Sequence, residues 1–115
     1  DACLIQIPHD SIDEGIDRAL LDLEEGGFDA VFCVNNNLTK SLLKKINHGK
    51  VETQYSIISF DDLEVFDFSQ PKVSAIEQPI QLMGEKAIDL IESSIVNKEK
   101  HITKKIILKT GLIIR

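Results

Sequence analysis

The sequence predicts a single α/β domain built on an open, mostly parallel sheet flanked by helices. Three observations point there. Short apolar runs bounded by turn residues recur at residues 3–7, 30–34 and 56–60 and read as strands. Between them lie segments whose apolar residues repeat at helical spacing. The alternation strand, helix, strand, helix, strand calls for parallel pairing through right-handed crossovers.

Residues 3–7 form the first expected strand, stopped by Pro8. Ser11 followed three positions on by Glu14 is the pattern of a capping box, and Ile12, Ile16, Ala19, Leu20 and Leu23 supply one apolar face. Gly26-Gly27 should end that helix. Residues 30–34 are continuously apolar, as in a strand covered on both faces. Asn35, Asn36 and Asn37 offer caps for a second helix with Leu38, Leu42, Leu43 and Ile46 inward, ending near Gly49. After the strand at 56–60 come Asp61-Asp62, an irregular stretch over 63–70 and a short extended run over 73–76. Pro79 suits the first turn of a helix whose buried face is Ile80, Met83, Ala87, Leu90 and Ile91. Residues 106–114, interrupted at Gly111, supply a last strand.

Composition narrows the function. A length of 115 residues, 43% hydrophobic and 28% charged, describes one globular domain or a piece of one. Apolar runs of five residues or fewer cannot cross a bilayer, so no membrane partner is expected. No secretory signal opens the chain, and the absent initiating Met suggests a fragment. Nine acids stand against Arg18 alone in residues 1–37, while residues 38–115 hold twelve bases and ten acids. A net charge of −6 argues against autonomous nucleic-acid binding. The basic stretch Lys98, Lys100, Lys104, Lys105 and Lys109 has no interleaved aromatics and reads as a solvated turn and edge strand. Cys3 and Cys33 sit in apolar contexts and read as buried thiols, and His9, His48 and His101 show no ligand spacing. No metal or cofactor is expected.

Ligands of open parallel sheets bind outside the carboxyl ends of the strands. Three polar groups fall there: His9 to Ser11 with Asp10, the Asn35–Asn37 run, and Asp61-Asp62. Asn both donates and accepts, and a carboxylate accepts several bonds, which suits a ligand rich in hydroxyls. Each group also has a plain structural use, as helix cap or turn. Asp61-Asp62 could instead hold Mg²⁺, although no third carboxylate is placed by the pattern.

Several blocks in register carry a resemblance. They are Phe28-Asp29-Ala30-Val31-Phe32-Cys33-Val34-Asn35-Asn36, Ser59-Phe60-Asp61-Asp62, and Pro71-Lys72-Val73-Ser74-Ala75-Ile76-Glu77-Gln78-Pro79 followed by Met83-Gly84 and Ala87. With Asp10-Ser11, Gly15 and residues 108–115, the chain resembles over nearly its whole length the C-terminal part of the effector-binding domain of a LacI/GalR-family transcriptional regulator. The resemblance implies a periplasmic-binding-protein-like fold, here one lobe plus a crossover helix. It also implies a cytoplasmic protein that binds a small, sugar-like effector and homodimerises. DNA would be bound only through a helix-turn-helix headpiece that this chain lacks, together with most of the first lobe.

By position, the resemblance assigns Asn35 and Asp61 to the effector; the strand-end argument adds Asn36 and Asp10. It puts Phe66 and Phe68 near a subunit interface, with burial inside the same subunit as the other reading. Asn36 stands where the family usually has Asp, Ser59 where it has Gly, and Gly111 where it often has Glu. Asp10 lies near a position that is often aromatic, which argues against a stacked pyranose and leaves the ligand class open. The helix from residue 79 to about 95 would pack on the first lobe; without it, the helix is expected to fold back on the sheet or be covered by a second chain. Two alternatives stand beside the regulator: a small Mg²⁺-dependent phosphotransferase or hydrolase using Asp61, and an exported sugar-binding protein of the same fold.

Overall fold

The structure, a computed structural model, describes residues 2–50, 55–97 and 104–115; Lys98, Lys100 and His101 lie outside them. Helix α1 spans Ile12–Gly26 and β1 spans Ala30–Cys33. Helix α2, Asn36–Lys45, runs into a π-helical turn over Ile46–Lys50, and β2 is Ser56–Phe60. A 3₁₀ turn at Glu64–Asp67 leads to β3, Val73–Glu77, then α3, Ile80–Asn97, and β4, Gly111–Ile113. The sheet order is β1-β2-β3-β4; the first three strands pair in parallel and β4 joins β3 antiparallel. An open, mostly parallel sheet with flanking helices is therefore the fold.

The pleat explains which side chains are inside. Cα register aligns Val31 with Ile57 and Cys33 with Ser59, and these in turn with Val73 and Ala75. Ile57, Ser59, Val73, Ala75 and Cys33 are buried, and Val31 packs against the core. Against that face α1 contributes Ile16, Leu20 and Leu23 and α2 contributes Leu42 and Leu43, all in one apolar cluster. Lys45 of α2 reaches Asp17 of α1 at 2.7 Å, tying the two helices together. Gly27 ends α1 in the left-handed region at φ 63°, its N–H donating to the carbonyls of Leu23 and Glu24, a turn that a Cβ would strain.

Several expectations need correction. Residues 3–7 are not a strand of this sheet: they pair with none of its strands, and an apolar gap of about 410 Å³ is lined by both them and β1. Ile7 is held by side-chain packing on Gly15 of α1, not by a backbone ladder. Cys3 is consequently exposed, whereas Cys33 is buried as expected. The sheet is covered on one face only among the described residues. Phe32 is 52% exposed and Ile58 lies open on the other side, so continuous hydrophobicity in β1 does not mark two-sided cover here. Ser11 makes no capping bond, because a 3₁₀ turn at His9–Ser11 runs straight into α1 and leaves no free cap position. Finally, α3 neither folds back nor packs on another described element: Ile80, Met83, Ile88, Ile91 and Ile95 are all exposed.

Candidate functional site

Adjacent parallel strands put their carboxyl ends side by side, and Cys33 of β1 pairs with Ser59 of β2. Asn35 and Asp61 each stand two residues beyond that pair, so strand order alone brings the two segments to one end of the sheet. Behind them, Thr39 and Ser59 are fully buried and share a hydroxyl hydrogen bond of 2.7 Å. The Thr39 hydroxyl also donates to the Asn35 carbonyl at 3.1 Å. Thr39 bonds the Cys33 thiol as well, but burial dominates there and pushes that thiol above its ordinary pKa.

Asn35 is the cap of α2: its Oδ1 accepts from the Leu38 N–H at 3.0 Å. This use leaves its amide nitrogen for other partners. Asn36 is the first residue of α2 and half-buried, while Asp10 is exposed in the 3₁₀ turn before α1. None of these three lines the cavity that forms around Asp61.

That cavity, about 620 Å³, is bounded on one side by residues 61–64 and on the other by residues 77–82 and Glu85. Asp61 adopts φ 71°, in the left-handed region that non-glycine residues rarely enter. Its N–H donates to the Ile76 carbonyl at 3.0 Å, and its Oδ1 accepts from the Gln78 side-chain amide. Asp62 behaves differently. Both of its oxygens accept from the Arg115 guanidinium, at 2.9 and 3.0 Å, in a bidentate pair. Arg115 also donates through Nε to Asp67 at 2.6 Å and to the Val73 carbonyl at 3.1 Å. The two carboxylates, Asp62 foremost and then Asp67, raise the pKa of the arginine above its ordinary value.

Sequence reasoning singled out Asp61 but not Gln78 or Arg115 as site residues. For Gln78 the signal was its position at the end of β3, the next parallel strand in register with β2. The two interface candidates part company. Phe66 is 0% exposed, inside the chain's own core, so its side chain is not presented to another subunit; this corrects its assignment to an interface. Phe68, only two residues on, is 80% exposed.

Residues 5–115 match the family described as the periplasmic binding protein-like domain. The chain belongs to that family. Its relatives are LacI/GalR-type transcriptional regulators, and it corresponds to the C-terminal part of their effector-binding domain. It is 30% identical over 83 residues to the HTH-type transcriptional regulator GalR of Lacticaseibacillus casei, a match covering 70% of this chain and 25% of the relative. The crystal structure of a transcription regulator from Staphylococcus saprophyticus subsp. saprophyticus superposes with a TM-score of 0.74 at 27% identity, covering 96% of this chain and 40% of the other. A LacI family transcriptional regulator from Enterococcus faecium, solved with bound ribose, gives a TM-score of 0.61 at 25% identity over 77% of this chain and 34% of its own. The chain spans about a quarter of the length of the curated relatives it matches.

Proposed function

We infer that this chain is the ligand-sensing part of a cytoplasmic LacI/GalR-type regulator that binds a small sugar-like effector, forms a homodimer, and reaches DNA only through a separate headpiece. On this reading residues 1–115 are a fragment of the effector-binding and dimerisation domain, with the headpiece and most of the first lobe contributed by other sequence. The observation that carries it is the cavity beside Asp61. Its polar side chains are carboxylates and the amides of Gln78 and Gln81, which accept from and donate to hydroxyls, and no base is paired with a nucleophile there. Asn35 and Asn36, where α2 begins beyond β1, and Asp10, in the 3₁₀ turn before α1, complete the proposed contacts. Phe68 is the aromatic left for a subunit contact. The ribose-bound enterococcal relative supports a sugar as the ligand class.

The competing enzyme reading would use Asp61 as a nucleophile with Mg²⁺. The arrangement disfavours it, since Asp62 gives both oxygens to Arg115 and Asp61 gives one to Gln78. The exported alternative shares the cavity and differs in what precedes it in the gene.

The test is a thermal-shift screen of the full reading frame against neutral sugars, with Asp61→Ala alongside. A ligand at 100 times its Kd adds about 2.7 kcal/mol of stability, so one sugar should raise the melting temperature and the variant should lose the response. Phosphate-ester hydrolysis abolished by Asp61→Asn would replace this reading with the enzyme. The 115-residue chain alone should bind weakly, having one wall of the cleft.

A further inference from the structure

We propose that Arg115 is a positioning residue for the effector site: its guanidinium holds the Asp61–Asp62 turn in the one geometry that presents the Asp61 carboxylate to the cavity. This rests on the sensing role inferred above and adds to it a residue outside the cavity lining.

The argument starts from the backbone. Asp61 at φ 71° sits in a conformation that an L side chain keeps only when its surroundings over-determine it. Before Asp61, the turn is fixed by β2 and by the N–H bond to Ile76. After it, the direction of the chain is fixed at Asp62, and there the constraint is Arg115. A planar fork meeting a carboxylate through two parallel bonds fixes orientation as well as distance, which a point charge cannot do.

The same guanidinium is bonded to Asp67 and to the Val73 carbonyl, and the backbone N–H of Arg115 donates to the Ser74 hydroxyl at 3.2 Å. The clamp is thus anchored on β3 and on the 3₁₀ turn, not on the flexible part of its own side chain. It sorts two neighbouring acids into different jobs. Asp62 is turned toward Arg115 and neutralised, while Asp61 keeps one oxygen for a ligand and gives the other to Gln78.

The test uses the isotopically labelled protein from the full reading frame and reads two ligand-free signals: the Asp61 backbone carbon shifts, which report positive φ, and the Gln78 side-chain amide. Ribose is then titrated. In Arg115→Gln the Asp61 shifts should move to ordinary extended or right-handed values, the Gln78 amide should move to the position of a free amide, and the apparent Kd for ribose should rise about tenfold or more. Arg115→Lys, which keeps the charge but not the fork, should recover only part of each.

Should Arg115→Gln fail to fold, Asp62→Asn, which removes one partner's charge at constant shape, should give the same two shifts. A purely structural arginine would lower the melting temperature and leave Asp61 and Gln78 of the folded molecules at wild-type positions; that result overturns the proposal. If ribose leaves the wild-type chain unperturbed while either variant moves Asp61, the positioning role stands and the choice of sugar fails. If ribose binds wild type and Arg115→Gln equally well, the positioning role fails and the sensing role stands.

Discussion

Ser59 is fully buried, and its hydroxyl would be costly there without Thr39 opposite it. Ser59 can donate to Thr39 while Thr39 donates to the Asn35 carbonyl, with the Phe60 carbonyl as the alternative acceptor for the Ser59 proton. Removing one member strands a buried polar group, at about 1–3 kcal/mol. Thr39→Val and Ser59→Ala should each lower stability by roughly 1 kcal/mol or more in urea titrations, and the double variant should lose less than the two together. Strict additivity would mean that the pair does not act as a unit. At this scale the placement of Asn35 and Asp61 just beyond strands was legible. Arg115 was not legible, because its partner Asp62 lies 53 positions away and a long-range ion pair leaves no local pattern.

Among elements, the strands at 56–60 and 73–77 and the helices were readable because apolar spacing and terminating glycines act locally. Residues 3–7 were misread for a related reason: an apolar run predicts burial, and half-burial of Ile5 and Ile7 is achieved there without a ladder. The second face of the sheet was misread because a strand's own sequence states what cover it could accept, not whether the cover is present. Helix α3 shows the same gap between capacity and contact. With its apolar side chains exposed and no other described element against it, local opening of α3 costs little. Amide hydrogen exchange should therefore be far faster in α3 than in β2, which is flanked by strands on both sides. Equal protection in the two would show that α3 is covered in solution.

For the molecule as a whole, the Cα radius of gyration is 18.7 Å, with extents of 59 × 27 × 27 Å. A compact chain of this length would give about 13 Å. X-ray scattering of the monomer should return a value near the larger figure, and one near 13 Å would mean that α3 collapses onto the sheet after all. The remaining consequence concerns timing. The bond between Arg115 and Asp62 closes a loop of about half the chain, and such closures are entropically late. During synthesis from the N-terminus, β1, β2 and β3 can assemble while Asp62 still lacks its arginine. The strand ends exist before the Asp61–Asp62 turn is held at its second residue, and that hold waits for residue 115.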